Sequence, residues 1–304
     1  MATAEAIEPT FTVRVPSGYE VAFYAGDGTV KNPRHYRIDG QRVPGVTEIL
    51  DCLAKDLSWW GQDVGVQGVL ALWEKRLLAR ATDGRLAVVH PADNVWAIAT
   101  PEIVVEQLKL QKLSTSYVVS RAGDRGQAAH DALEAWAVSG ELPSAENYPP
   151  PEQPYIRAVR RFCEDIGPAW KTHSTEVTVG SVDHGFAGRY DLRGEVVRPV
   201  QLVSQALRKD GSAVLKGGFK RVDIPAGTKL LCDLKTTKRV YTTHLLQLAG
   251  YELASVESGM QPTDMRMVIH ATAFGEYEVH RTAVHGSHFL AVRHVYEVME
   301  SLRV

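Results

Sequence analysis

The sequence predicts a mixed α/β fold of the α+β kind: a mixed central sheet flanked by helices, with a hairpin and helical extension at the N-terminus. Three observations carry this. Residues 11–45 alternate apolar and polar positions between the Gly-rich turns AGDGTV and IDGQRVPG, a strand period. Several stretches between 46 and 166 repeat apolar residues at helical spacing. Beyond residue 170 the order runs strands, helix, strands, helix, which places helices against one sheet.

Taken in order, 11–45 reads as one or two hairpins. VTEILDCLAKDLSWWG reads as a helix, with Thr47 as N-cap and Ile49, Leu50, Leu53 and Leu57 on one face. Two further helices are expected over 64–80 and 101–113. SRAGDRGQAAHDALEAWAVSG opens a helix closing near Gly140, and a Pro-rich bend, ELPSAENYPPPEQP, separates it from a helix over 154–166. STEVTVG and FAGRYDLRG read as strands joined by a turn at Asp183–Gly185, and KLLCDLKTT as a third strand. TTHLLQLAGYELASVESG is a helix closed by Gly259; MRMVIHATAF and YEVHRTAV form a hairpin; 287–302 is a final helix. The expected division is an extension over 1–120 and a core over 121–304, with an insertion at 195–229.

Composition narrows the classes. The chain has 304 residues, 44% hydrophobic and 23% charged, with net charge −2, so no global basic field advertises a nucleic-acid coat. No apolar run approaches the ~20 residues of a membrane helix, and MATAEAIEPT lacks a signal-peptide core. Cys52, Cys163 and Cys232 are far apart without C-x-x-C spacing, so neither a zinc ribbon nor an iron–sulfur cluster is expected, and a reducing cytoplasm is.

The chemistry gathers around Asp233-Leu234-Lys235, the one acidic-x-Lys triplet in the chain. On a strand, residues two apart share a face, so Asp233 and Lys235 point to one site while Leu234 faces the core. Asp191 ends the strand FAGRYD; if the two strands are neighbours, both carboxylates emerge at one sheet edge. Adjacent carboxylates repel, and hard oxygen ligands select Mg²⁺ or Mn²⁺. An ammonium there can orient or activate water, or stabilise phosphate charge. His130, beside the apolar stripe of Leu133 and Trp136, can join a metal through neutral imidazole. Gln247 and Tyr251 lie four apart on one face of the following helix; His244 joins that face and reads as its polar flank. Glu176, on the preceding strand, is either a residue supporting the site or an exposed strand position.

RGQAAH, GRYD, DLK and QLAGY, in that order, resemble the PD-(D/E)XK nuclease superfamily, and within it the RecB-like branch of phage and CRISPR-associated exonucleases. VPGVTEIL followed by Trp59-Trp60 is similar to the N-terminal region of phage members. The resemblance covers roughly residues 125–255. It implies a restriction-endonuclease-like core and a metal-dependent DNA exonuclease using one or two Mg²⁺ or Mn²⁺ ions. It makes His130, Asp191, Asp233 and the Leu234 carbonyl metal ligands and Lys235 the catalytic lysine, with Gln247 and Tyr251 completing the site. It further implies DNA as partner, phage recombination, repair or replication as setting, and the bacterial host cytoplasm as location. A structure-specific endonuclease and a catalytically idle DNA-binding module are the rivals.

Two departures stand out. The four cysteines of cluster-bearing relatives are missing. And the stretch between Asp191 and Asp233 is long: residues 195–229 hold seven basic residues, among them Arg208, Lys209, Lys216, Lys220 and Arg221, against three acids. This insertion is either a solvated loop or extra hairpin, or a flap that tracks phosphates, together with Lys238.

Overall fold

The computed structural model describes residues 8–26, 34–53, 58–205 and 219–302, with only the backbone at 58–60, 205 and 219. The chain packs as two compact units: one comprises 1–54 with 126–304, the other 55–125. The N-terminal strands thus share a unit with the C-terminal half, rather than with residues 55–125.

Strands β1 (Phe11–Arg14), β2 (Glu20–Tyr24), β3 (His35–Ile38) and β4 (Gln41–Val43) form an antiparallel meander. The helix expected over 46–61 is interrupted. Helix α1 is only Val46–Leu50, followed by a 3-10 turn at Asp51–Leu53. Its N-cap is Gly45, not Thr47: Gly45 has an extended backbone, and its N–H donates to Glu48 Oε2 at 3.2 Å.

The 55–125 unit holds α2 (Ser58–Glu74), the antiparallel sheet of β5 (Leu78–Arg80), β6 (Leu86–Val89) and β7 (Trp96–Ile98), and α3 (Pro101–Leu110). The helix expected over 64–80 therefore stops early. Arg76 turns left-handed at φ 57°, and the next residues enter a hairpin around Gly84 at φ 82°. Thr82-Asp83-Gly84 is a turn signal that the apolar spacing of its neighbours masks. Thr100 caps α3 by accepting from Ile103 N, with Pro101 at the first helical position. Leu72, Leu78, Val88 and Leu108 form this unit's core.

Helix α4 (Thr115–Ser139) ends at Gly140, whose φ of 76° suits a residue without Cβ. Next come α5 (Gln153–Ile166), β8 (Trp170–Ser181), β9 (Phe186–Val196), the paired strands β10 (Val200–Gln205) and β11 (Phe219–Ile224), and β12 (Thr228–Lys235). Helix α6 (Thr242–Glu257), β13 (Met265–Ala271), β14 (Tyr277–Thr282) and α7 (Gly286–Ser301) complete the chain. The central sheet runs β14-β13-β12-β9-β8; β12 and β13 are parallel and every other pairing is antiparallel.

Two apolar clusters sandwich this sheet. On one face, Val177, Val179, Phe186, Tyr190, Leu231 and Val268 meet α1, α6 and Phe289 of α7. On the other, Leu192, Val196, Leu230, Cys232, Leu234, Met267 and Ile269 meet Ala129, Leu133 and Trp136 of α4 and Ile156, Val159 and Phe162 of α5. The fold is thus mixed α/β, with helices on both faces of a mixed sheet. The meander packs on β8 and β9: Val15, Val21, Ile38 and Val43 enclose Ala187, and Tyr19 donates to the Gly180 carbonyl at 2.6 Å.

Gly194 marks the tightest approach in β9. A β-carbon there would lie far inside contact distance of Trp170 Cζ2 and 2.5 Å from the Lys171 carbonyl oxygen. The indole is held by its N–H bond to Thr172 Oγ1 at 2.9 Å. Gly194→Ala is expected to lower stability by about 3 kcal/mol, read as a shifted urea midpoint at unchanged slope.

Candidate active site

Register brings three carboxylates into one row. Leu231↔Arg193 and Cys232↔Leu192 pair β12 with β9, and the same register sets Asp233 opposite Asp191. Thr175↔Leu192 and Val177↔Tyr190 pair β8 with β9, which sets Glu176 opposite Asp191. Glu176, Asp191 and Asp233 therefore stand side by side across β8, β9 and β12.

Asp191 does not end its strand as expected; β9 continues five residues further, to Val196. What changes at Asp191 is the phase of the pleat. Phe186 and Tyr190 face α6 and α7, yet Leu192 and Val196, also even-numbered, face α5. A regular strand would keep all four on one side. Opposite this slip, Glu176 takes φ 51°, a left-handed conformation uncommon for a non-Gly residue and enriched at functional sites. Both strands are thus locally irregular where their acids meet.

The side chains converge. His130 Nδ1 is 3.3 Å from Asp191 Oδ1 and 3.7 Å from Glu176 Oε1, and the ligand atoms of these three residues all lie within 4.8 Å of one another. Asp191 Oδ2 accepts from the Leu234 N–H at 2.5 Å, so the carboxylate also ties β9 to β12 just past their last paired residues. Lys235 Nζ is 2.6 Å from Asp233 Oδ2, as the shared strand face requires. Asp233 is 1% exposed, and its Oδ1 has no hydrogen-bond partner among the described residues. A buried carboxylate oxygen left bare in this way is expensive.

The charges reinforce one another. Burial pushes the Asp233 carboxyl up to about 6, with Lys235 opposing and Asp191 adding to the rise. Burial also resists ionisation of Asp191, but His130, Lys235 and the Leu234 N–H prevail and hold it below the usual carboxylate range. Burial disfavours charge on His130 and on Lys235 as well. Asp191 and Glu176 nevertheless raise His130 to about 10, and Asp233 and Asp191 raise Lys235.

Gln247 and Tyr251 meet as four-apart helix neighbours do: Gln247 Nε2 donates to Tyr251 Oη at 2.6 Å. Burial, followed by Asp233, Tyr36 and Asp191, raises the Tyr251 phenol well above its ordinary value, so it stays neutral beside the acids. A β-carbon on Gly188 would lie 2.5 Å from Tyr251 Cε1. The glycine of GRYD is therefore the space that the tyrosine of QLAGY occupies. His244 acts as a cap at the start of α6: its Nδ1 accepts from Tyr241 N at 3.2 Å, and burial pushes its pKa down to about 4, with Lys235 and His270 adding to the fall.

Three of the six predicted basic residues can be placed. Arg208, Lys209 and Lys216 lie outside the described residues. The insertion does contain the extra hairpin, β10 with β11. Lys220 and Arg221 are exposed but consecutive on β11, so they serve opposite faces. Lys220 Nζ is 3.4 Å from Glu278 Oε2. Lys238 is exposed in the turn between β12 and α6.

Sequence reasoning passed over Arg189 and Tyr36. Arg189 Nε holds Glu176 Oε2 at 2.7 Å, and its guanidinium stacks over the Phe11 ring, 5.8 Å from the centroid. The signal for Arg189 was a charge inside an otherwise buried G-x-x-D strand. For Tyr36, on the meander, no local signal exists. Among the described residues, no helix is long and apolar enough to cross a membrane. No family model matches the chain, and no curated protein matches it.

Proposed function

We propose that this chain is a metal-dependent DNA nuclease of the PD-(D/E)XK type, acting as an exonuclease of the RecB-like kind. The observation that carries the reading is the row of Glu176, Asp191 and Asp233, with Lys235 on one end acid and His130 on the central one.

The residues fit Mg²⁺ or Mn²⁺. Three carboxylates and one imidazole form a hard, mostly oxygen donor set, and Asp233 Oδ1 is a buried acceptor without a partner. His130, Asp191, Asp233 and the Leu234 carbonyl would hold the metal, with Glu176 as an added ligand beside His130 and Asp191. When bound, Mg²⁺ or Mn²⁺ polarises a scissile phosphate and acidifies water. The chain's own groups do the rest. Despite burial, Asp233 and Asp191 raise Lys235 above its ordinary value, and as an ammonium it would orient water and neutralise phosphate charge. Tyr251 stays a neutral hydroxyl held by Gln247, and Arg189 fixes Glu176.

Metal binding is expected to release protons. His130 carries a proton well above neutral pH in the metal-free protein and must lose it to become a ligand. Affinity for Mn²⁺ therefore rises with pH between 6 and 9. Calorimetry at pH 7 in two buffers of different ionisation enthalpy reads the proton count directly, and loss of the released proton in His130→Ala identifies His130 as its source.

The deciding assay uses end-labelled linear DNA, single- and double-stranded, with Mg²⁺, Mn²⁺ or EDTA, and a closed circle as control. Metal-dependent loss of linear DNA that spares the circle is the expected result. Cutting of the circle would convert the proposal to an endonuclease. Binding without cleavage would leave an idle DNA-binding module.

A further inference from the structure

We propose that His270, Glu278 and His280 form a second divalent-metal site, of zinc-binding chemistry, on the β13–β14 hairpin. The proposal rests on these residues alone and stands apart from the nuclease reading. His270 pairs with Glu278 across the hairpin, and His280 lies two residues along β14 on the same face. Their ligand atoms all fall within 4.8 Å of one another.

The tautomer of His270 is set by its surroundings. Its Nε2 lies 2.7 Å from the Thr237 carbonyl oxygen, which can only accept, so Nε2 carries the hydrogen. In the neutral ring Nδ1 then offers a bare lone pair, the usual arrangement for a metal-binding histidine. That Nδ1 is enclosed in a residue only 6% exposed and has no hydrogen-bond partner among the described residues; it faces Glu278 Oε2 at 3.9 Å. On the other side, His280 Nε2 lies 3.0 Å from the same oxygen. Metal–ligand bonds of about 2.05 Å in a tetrahedron put ligand atoms roughly 3.3 Å apart. The two observed separations bracket that value, so small rotations of the side chains build the site.

Two imidazoles and one carboxylate suit Zn²⁺, with a fourth position for water, whereas the carboxylate row suits harder ions. In the metal-free protein Lys220 Nζ supplies the positive charge at Glu278, 3.4 Å away, from a side chain 48% exposed and able to leave. The site sits one strand from the reaction centre, since His270 pairs with Lys235 across β12 and β13. Through Thr237 it would also pin the turn between β12 and α6.

The test uses the full chain carrying His130→Ala to disable the first site, stripped with chelator and titrated with Zn²⁺ by calorimetry and with Co²⁺ by visible absorption. One ion per chain and tetrahedral Co²⁺ bands are expected. Adding His280→Ala or the near-isosteric Glu278→Gln should abolish both signals, while adding Lys220→Ala should tighten binding by removing a competing cation. Circular dichroism confirms that each variant is folded, and Glu278→Gln carries the test should His280→Ala unfold. Absence of Zn²⁺ uptake, uptake unchanged by either substitution, or weaker binding in Lys220→Ala would overturn the proposal and leave an ordinary hydrogen-bonded cluster.

Discussion

On the proposed nuclease function, Lys235→Met is expected to lower single-turnover DNA cleavage by on the order of 10³-fold while leaving divalent-ion binding at least as tight as in the parent. Methionine keeps the length and apolar stem of the side chain and removes only the charge. Metal affinity survives because the ammonium now competes for Asp233 Oδ2, 2.6 Å away. Rate and Mn²⁺ titration, measured on one preparation, separate the two effects; a wild-type rate would remove Lys235 from the chemistry. The same substitution leaves Asp233 buried without its cation and changes the pH dependence of metal-free stability. Asp233 is already raised to about 6 in the folded protein, above its value of about 3.9 in an unfolded chain. The folded state therefore binds the extra proton, and stability falls as pH rises through that window. In Lys235→Met the folded pKa moves further up, so the decline reaches higher pH. Thermal midpoints between pH 4 and 8 should show the variant losing more stability than the parent at the alkaline end.

Gly188→Ala is expected to cost about 1–3 kcal/mol of stability and, on the proposed function, most of the nuclease activity. The added methyl would lie 2.5 Å from Tyr251 Cε1 and 3.0 Å from Val46 Cγ2. Tyr251 is 5% exposed and tethered to Gln247, so the ring has no room to retreat. A double-mutant cycle with Tyr251→Leu tests the cause. If ring contact is responsible, Gly188→Ala does far less harm in the Tyr251→Leu background. Equal harm in both backgrounds would place the strain at Val46 instead.

Much of the site could be read from the chain because its parts lie in short periodic segments. The strand ending in Asp233 and Lys235, the helix carrying Gln247 and Tyr251, and the helix carrying His130 each announce their own period. Alternation also predicts correctly that Asp233 and Lys235 touch. What the chain left open or hid was set by tertiary register. Glu176 enters the site through a left-handed backbone opposite a pleat slip, and no local pattern encodes either. The same slip makes Asp191 look like a strand end, because alternation appears to stop there. The helix expected over 46–61 is interrupted by the 3-10 turn at Asp51–Leu53, which its apolar spacing does not announce. His270, Glu278 and His280 are spread over eleven residues, and only the pairing of β13 with β14 reveals them as neighbours.

The connection between β9 and β12 has a consequence for how the site comes together. Glu176 and Asp191 belong to one antiparallel hairpin. Asp233, Lys235, Gln247 and Tyr251 belong to one strand–helix–strand segment. Each half can form from nearby chain, and the acids meet only when the hairpin docks along β12. The entropy lost in closing that connection grows with the logarithm of its length, about 0.6 kcal/mol for each doubling. Changing the number of residues between β9 and β12 thus changes the probability of closure only slightly. The connection can change length while the acidic row keeps its register.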